Sequence, residues 1–129
     1  QLTLIGDNTY AGGTTVKAGT LVAQNDHAFG NGPLTLDGGT VTLSAKHVTV
    51  KGTYHQAKDA TLHVNAGDRA TVDGSAHLNG TLVVNGAKSK NQTVLTFSKR
   101  TGKFSHVKLE GFGKNAHVVY TNKSVKVTD

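Results

Sequence analysis

Five cations crowd one stretch late in the chain: Lys88, Lys90, Lys99, Arg100 and Lys103, set among Gly, Ser, Asn and Thr that read as loops. Clustered positive charge on loops can hold polyanions, such as lipopolysaccharide phosphates or host sulfated glycans. The charge is unevenly placed, for residues 1–87 carry five Lys/Arg against six Asp/Glu while residues 88–129 carry nine against two. A plainer role competes with binding: Lys on late strands and loops keeps sheet edges from pairing with other chains. Nucleic acid is not favoured, because no recognition module or aromatic-studded basic groove is present.

The seven His and the carboxylates are the other groups that could do chemistry. His55 and His77 hold similar places in Gly52-Thr53-Tyr54-His55 and Gly74-Ser75-Ala76-His77, twenty-two residues apart. A metal would need a third ligand that the spacing does not announce. A solvent-facing His ladder is therefore expected, with no metal and no cofactor. Asp7, Asp26, Asp59, Asp68 and Asp73 could suggest the paired carboxylates of polysaccharide-degrading enzymes. Each sits beside Gly, Asn or other turn residues, where Asp caps backbone amides. There is no nucleophile motif, phosphate-cradling loop or calcium-binding nonapeptide, so no enzymatic activity is expected.

The elements that must carry these groups are strands. Sixteen Gly and many Thr and Val stand against a single Pro33, and no window sustains the spacing of three and four that a helix requires. An internal period dominates. Gly19-Thr20-Leu21, Gly39-Thr40-Val41, Ala60-Thr61-Leu62 and Gly80-Thr81-Leu82 align, with Thr steps of 20, 21 and 20. Alternation in Leu21/Ala23, Val41/Leu43, Leu62/Val64 and Leu82/Val84 turns one face of each strand inward. Leu34–Leu36, His47–Val50, Gly52–His55, Arg69–Val72 and Ser75–Leu78 add further short strands. Two or three strands per twenty residues describe one coil of a solenoid. An antiparallel sandwich also has closely spaced short strands, but the regular register argues against it.

The predicted fold is all-β, a right-handed parallel β-helix of about four coils with a capped C-terminal end. Residues 1–87 form the coils and 88–129 the cap of the same domain. An open coil would expose unpaired backbone and core. Phe97, Phe104, Phe112 and Tyr120 are the bulky rings expected to close it, with Val118–Tyr120 and Ser124–Val127 as final strands.

These residues also carry a family resemblance. Gly6-Asp7-Asn8-Thr9-Tyr10-Ala11-Gly12-Gly13-Thr14-Thr15-Val16, then Ala18–Leu21 and Phe29–Val41, resemble the passenger-associated transport repeat of bacterial autotransporters, the type V secretion family. Gly52–Gln56, Ala60–Leu62, Gly80–Leu82, Val94–Leu95, Gly102–Ser105 and Tyr120–Val125 resemble the passenger segment just before the translocator barrel. The resemblance implies a C-terminal passenger segment that folds first and templates the rest, an autochaperone, as part of a surface adhesin. It implies the chain's own translocator β-barrel and upstream passenger as partners, and a place at the cell surface or outside the cell after passage through periplasm and outer membrane. The alternative function is a polyanion- or glycan-binding surface module. The absence of Cys fits a chain that crosses a pore unfolded. A start at Gln1 rather than Met reads as an excised fragment, without a membrane span of its own.

Protonating all seven His would raise the formal charge from +6 to +13, and stacked imidazoliums would repel. The thermal midpoint is accordingly expected to be lower at pH 5 than at pH 7.5. A midpoint that holds or rises across that interval would refute the expectation.

Overall fold

The computed structural model describes residues 2–4, 13–24, 32–44, 47–65, 68–85, 91–111 and 115–128. Every regular element among them is a strand. β1 (Leu2–Leu4) and β2 (Thr14–Val16) precede β3 (Thr20–Ala23) and β4 (Leu34–Leu36). Three turns with a strand on each face follow. They are β5 (Thr40–Leu43), β6 (His47–Val50) and β7 (Tyr54–Gln56); β8 (Thr61–Val64), β9 (Arg69–Val72) and β10 (Ser75–Leu78); and β11 (Thr81–Asn85), β12 (Asn91–Thr96) and β13 (Lys99–Gly102). β14 (His106–Glu110), β15 (His117–Tyr120) and β16 (Ser124–Thr128) end the described chain.

Equivalent strands stack into three sheets, ordered β1-β3-β5-β8-β11-β14, β2-β4-β7-β10-β13 and β6-β9-β12-β16-β15. Thr20 pairs with Thr40, Thr40 with Thr61 and Thr61 with Thr81, so the expected period is the register of the first sheet. The architecture is the expected all-β parallel solenoid. Inward side chains form ladders, as in Leu21, Val41, Leu62 and Leu82, all buried. Burial of each such Leu contributes about 1.5–3 kcal/mol. The extra residue in the 21-residue step falls in the corner 57–60, one residue longer than the corner 37–39.

That longer corner is filled by a buried amide. The Tyr54 hydroxyl donates to Gln56 Oε1 at 2.5 Å, while Gln56 Nε2 donates to the carbonyls of Ala60 at 3.1 Å and Thr81 at 3.0 Å. Both N–H groups of the amide and its oxygen are thus used, which is the condition for burying Gln at little cost. The bonds tie the last residue of the corner before β8 to the first residue of β11 in the following turn.

Parallel stacking does not stop at the expected division between 87 and 88. β12, β13 and β14 still lie parallel on β9, β10 and β11. The change comes with β16, which runs antiparallel to both β12 and β15. A register shift between Thr93 and Leu95 accompanies the change. Lys99 and Arg100, expected in loops, lie on β13. Neighbouring β10 supplies the backbone partners, and pairing overrides the modest strand preference of Lys-Arg-Thr-Gly.

The corners set a strict size limit. Thr40, Thr61 and Thr81 donate their amides to the carbonyls of Gly19, Gly39 and Ala60 at 2.8, 2.9 and 3.0 Å. Gly19 and Gly80 both have positive φ, but a Cβ on Gly19 would meet nothing within 4 Å, whereas one on Gly80 would lie 2.3 Å from the Ala60 oxygen. Gly19→Ala should therefore cost about 1–2 kcal/mol from left-handed strain alone. Gly80→Ala should lower the urea midpoint well beyond that, and equal losses would show that the corner has room.

Candidate functional site

Chemistry-bearing residues converge at the C-terminal end of the stack. Along the second sheet the inward register runs Leu34, Tyr54, Ala76 and then Arg100. A guanidinium thus occupies the position where earlier turns place core residues. Its Cζ lies 5.1 Å from the centre of the Tyr120 ring, and Lys103 Nζ lies 5.3 Å from the same centre. Cations at such distances are attracted to the ring quadrupole. Arg100 Nη1 donates to the Gly102 carbonyl at 2.6 Å, and Nε is buried without a hydrogen-bond partner.

Tyr120 is held from the other side, as its hydroxyl accepts the amide of Phe104 at 3.2 Å. Phe97 and Phe104 are buried in the core, while Tyr120 is partly buried and packs against it. Phe112, the fourth ring expected here, lies outside the described residues. The turn between β15 and β16 is tied by Thr121 N to Ser124 O at 2.8 Å and by Lys123 N to Thr121 Oγ1 at 3.2 Å. The Phe97 amide donates to the Lys123 carbonyl at 2.9 Å, which sets this turn beside the corner leading into β13. On the first sheet Val107 continues the ladder from Leu82 yet is 37% exposed, so that side of the end is less covered.

Of the five cations singled out in the sequence, Lys99, Arg100 and Lys103 come together here, while Lys88 and Lys90 lie outside the described residues. Lys99 and Lys103 are exposed, but Arg100 is turned inward and committed to Tyr120. Sequence reasoning missed Lys123, which only the hairpin brings to this corner.

The His pair forms as expected. His55 and His77 are register partners whose ring centres stand 5.9 Å apart at 47°. His47 Nε2 bonds Thr71 Oγ1, and His63 Nε2 is buried without a partner. No cluster of three or more His, Asp or Glu able to hold a metal occurs among the described residues. Asp59, Asp68 and Asp73 fall in separate corners. At Asp73 the corner is held by main-chain atoms, the Asp73 amide donating to the Val50 carbonyl at 2.9 Å and the Asp73 carbonyl accepting the Ser98 hydroxyl at 2.8 Å. Asp7 and Asp26 lie outside the described residues.

Burial pushes the Tyr54 phenol well above its ordinary value. Burial also raises that of Tyr120, against the opposing pull of the Phe104 amide and the Arg100 charge. A phenol whose pKa is higher folded than unfolded stabilises the fold fully below about pH 10, and that contribution disappears as pH rises from there toward the folded-state value. In a Tyr10→Phe background, phenolate absorbance should therefore appear together with loss of the β circular-dichroism signal above pH 10. Phenolate formation at both rings near pH 10 with an intact β signal would contradict the burial of Tyr54 and the partial burial of Tyr120.

The comparisons with known proteins agree with this architecture. The family model of the passenger-associated transport repeat matches residues 1–23. The Adhesin BmaC autotransporter of Brucella suis biovar 1 (strain 1330) is 38% identical over 88 residues, which is 67% of this chain. The aligned part is 2% of that protein, so the chain spans a small fraction of its relative's length. No solved structure matches. With that repeat at its start, that relative and a parallel solenoid as far as β14, the chain is a passenger-type repeat region of the autotransporter family.

Proposed function

We propose that this segment is the membrane-proximal, C-terminal part of an adhesin's passenger, where the solenoid begins to fold as the polypeptide emerges through the outer membrane. It works as a scaffold and folding template rather than as a catalyst. Its partners are the upstream passenger, which stacks upon it, and the chain's own translocator β-barrel, from which it emerges. Its place of action is the cell surface, reached through the periplasm and outer membrane.

The supporting observation is the difference between the two ends. A parallel solenoid grows by adding coils to a formed edge, and β1, β2 and β6 are the outermost strands of the three sheets on the N-terminal side. At the opposite end the third sheet turns antiparallel, and Arg100 stands at the inward register of the second. Upstream coils can continue the ladders, whereas a further parallel coil at the C-terminal end would have to bury a guanidinium. Phe97, Phe104 and Tyr120 would then act as the cap, and growth would run in one direction only. The printed name of the relative, an adhesin, supports an adhesive passenger.

Deleting residues 88–129 from the full-length protein, with its translocator barrel retained, tests the proposal. Surface display measured by antibody labelling should be lost, and the upstream passenger should become protease-sensitive. Normal display of a protease-resistant passenger would overturn the folding role.

A further inference from the structure

We propose that the corner formed by β13 and the β15–β16 turn is a binding site for anionic saccharides, recognised through clustered sulfate or phosphate esters, with Lys99, Lys103 and Lys123 as the contacting cations. Six described Lys/Arg fall between residues 91 and 128, and Glu110 is the one carboxylate there. Among the described residues, Lys99, Lys103, Lys108, Lys123 and Lys126 form no ion pair, and all five are exposed. A field so nearly of one sign draws polyanions and holds them in a salt-dependent way.

The arrangement differs from simple edge protection. Lysines that only blunt sheet edges belong on outermost strands, as Lys99 on β13 and Lys108 on β14 do. Lys126 lies on β16, which is paired on both sides, and Lys123 lies in a turn. Neither guards an unpaired edge. The cations of the corner also rest on fixed supports. Lys103 Nζ is held 5.3 Å from the Tyr120 ring centre, Arg100 lies over the same ring from its inward position, and the Lys123 backbone is tied to both Phe97 and Thr121. Such preorganisation lowers the ordering cost of gripping a charged chain. Arg100 adds charge from within without being a contact residue.

Heparin affinity chromatography of the 129-residue chain at physiological salt tests the site. The Lys99→Glu/Lys103→Glu/Lys123→Glu variant should pass unretained, while Lys17→Glu/Lys51→Glu/Lys58→Glu, with the same change in net charge on exposed residues of earlier turns, should still be retained. Equal loss in both variants would mean bulk charge alone and overturn the proposal, as would no loss in the first. Should the first variant lose its β signal, the milder Lys99→Gln/Lys103→Gln/Lys123→Gln triple gives the same reading. Chemically desulfated heparin and immobilised lipopolysaccharide separate the sources. Binding to heparin that is lost on desulfation identifies sulfate, retention on lipopolysaccharide with the same dependence on the three lysines identifies phosphate, and retention on neither intact heparin nor lipopolysaccharide refutes the site.

Discussion

Everything in this molecule depends on the pairing of each coil's backbone with the next. Thr20, Thr40, Thr61 and Thr81 are register partners in sequence, and the amides of the last three are taken by the carbonyls of Gly19, Gly39 and Ala60. A strand of three to five residues has too little apolar surface to be stable by itself. Stacked, the same strands satisfy one another's peptide groups and align inward side chains into continuous ladders. The constraint has a corollary at the ends, where pairing has to stop, and the unusual residues gather there.

The repeated part of the fold was legible because it is written several times. A Thr about every twenty residues, Gly or Ala before it and apolar residues after it identified the first sheet. The secondary runs at Leu34, His47, Arg69 and Ser75 became β4, β6, β9 and β10, and the last two strands also fall where the sequence put them. What escaped was written once. Lys-Arg-Thr-Gly has no strand signature of its own and becomes β13 through its neighbour β10. The inward position of Arg100 follows from register with Ala76, which composition does not reveal. Tyr54 reads as an ordinary member of a short strand, and Gln56 lies just beyond the strand that the sequence marks. Their linkage appears only when the corner 57–60 and the first residue of the following turn come together.

The candidate site shows the same division. Clustered basic charge was visible in composition, but the sequence presented it as a run of loop residues. Within that run the structure turns Arg100 inward over the ring of Tyr120 and leaves Lys99 and Lys103 exposed, near the turn that holds Lys123. Residues twenty apart in sequence share a corner because the antiparallel hairpin folds back along β12. Buried and exposed cations are thus interleaved within a few residues, and changes to the inward and outward members have different consequences.

The buried amide of Gln56 also bears on mechanics. A solenoid pulled from its upstream end gives way one coil at a time, since each turn holds only its neighbours. Gln56 grips two successive turns at once, through Ala60 and Thr81, with Tyr54 bracing it inside the core. Peeling that reaches this point has to break a buried polar junction along with the sheet bonds. It is a stitch across the seam, placed midway along the stack, where a pull would be shared between the coils on either side.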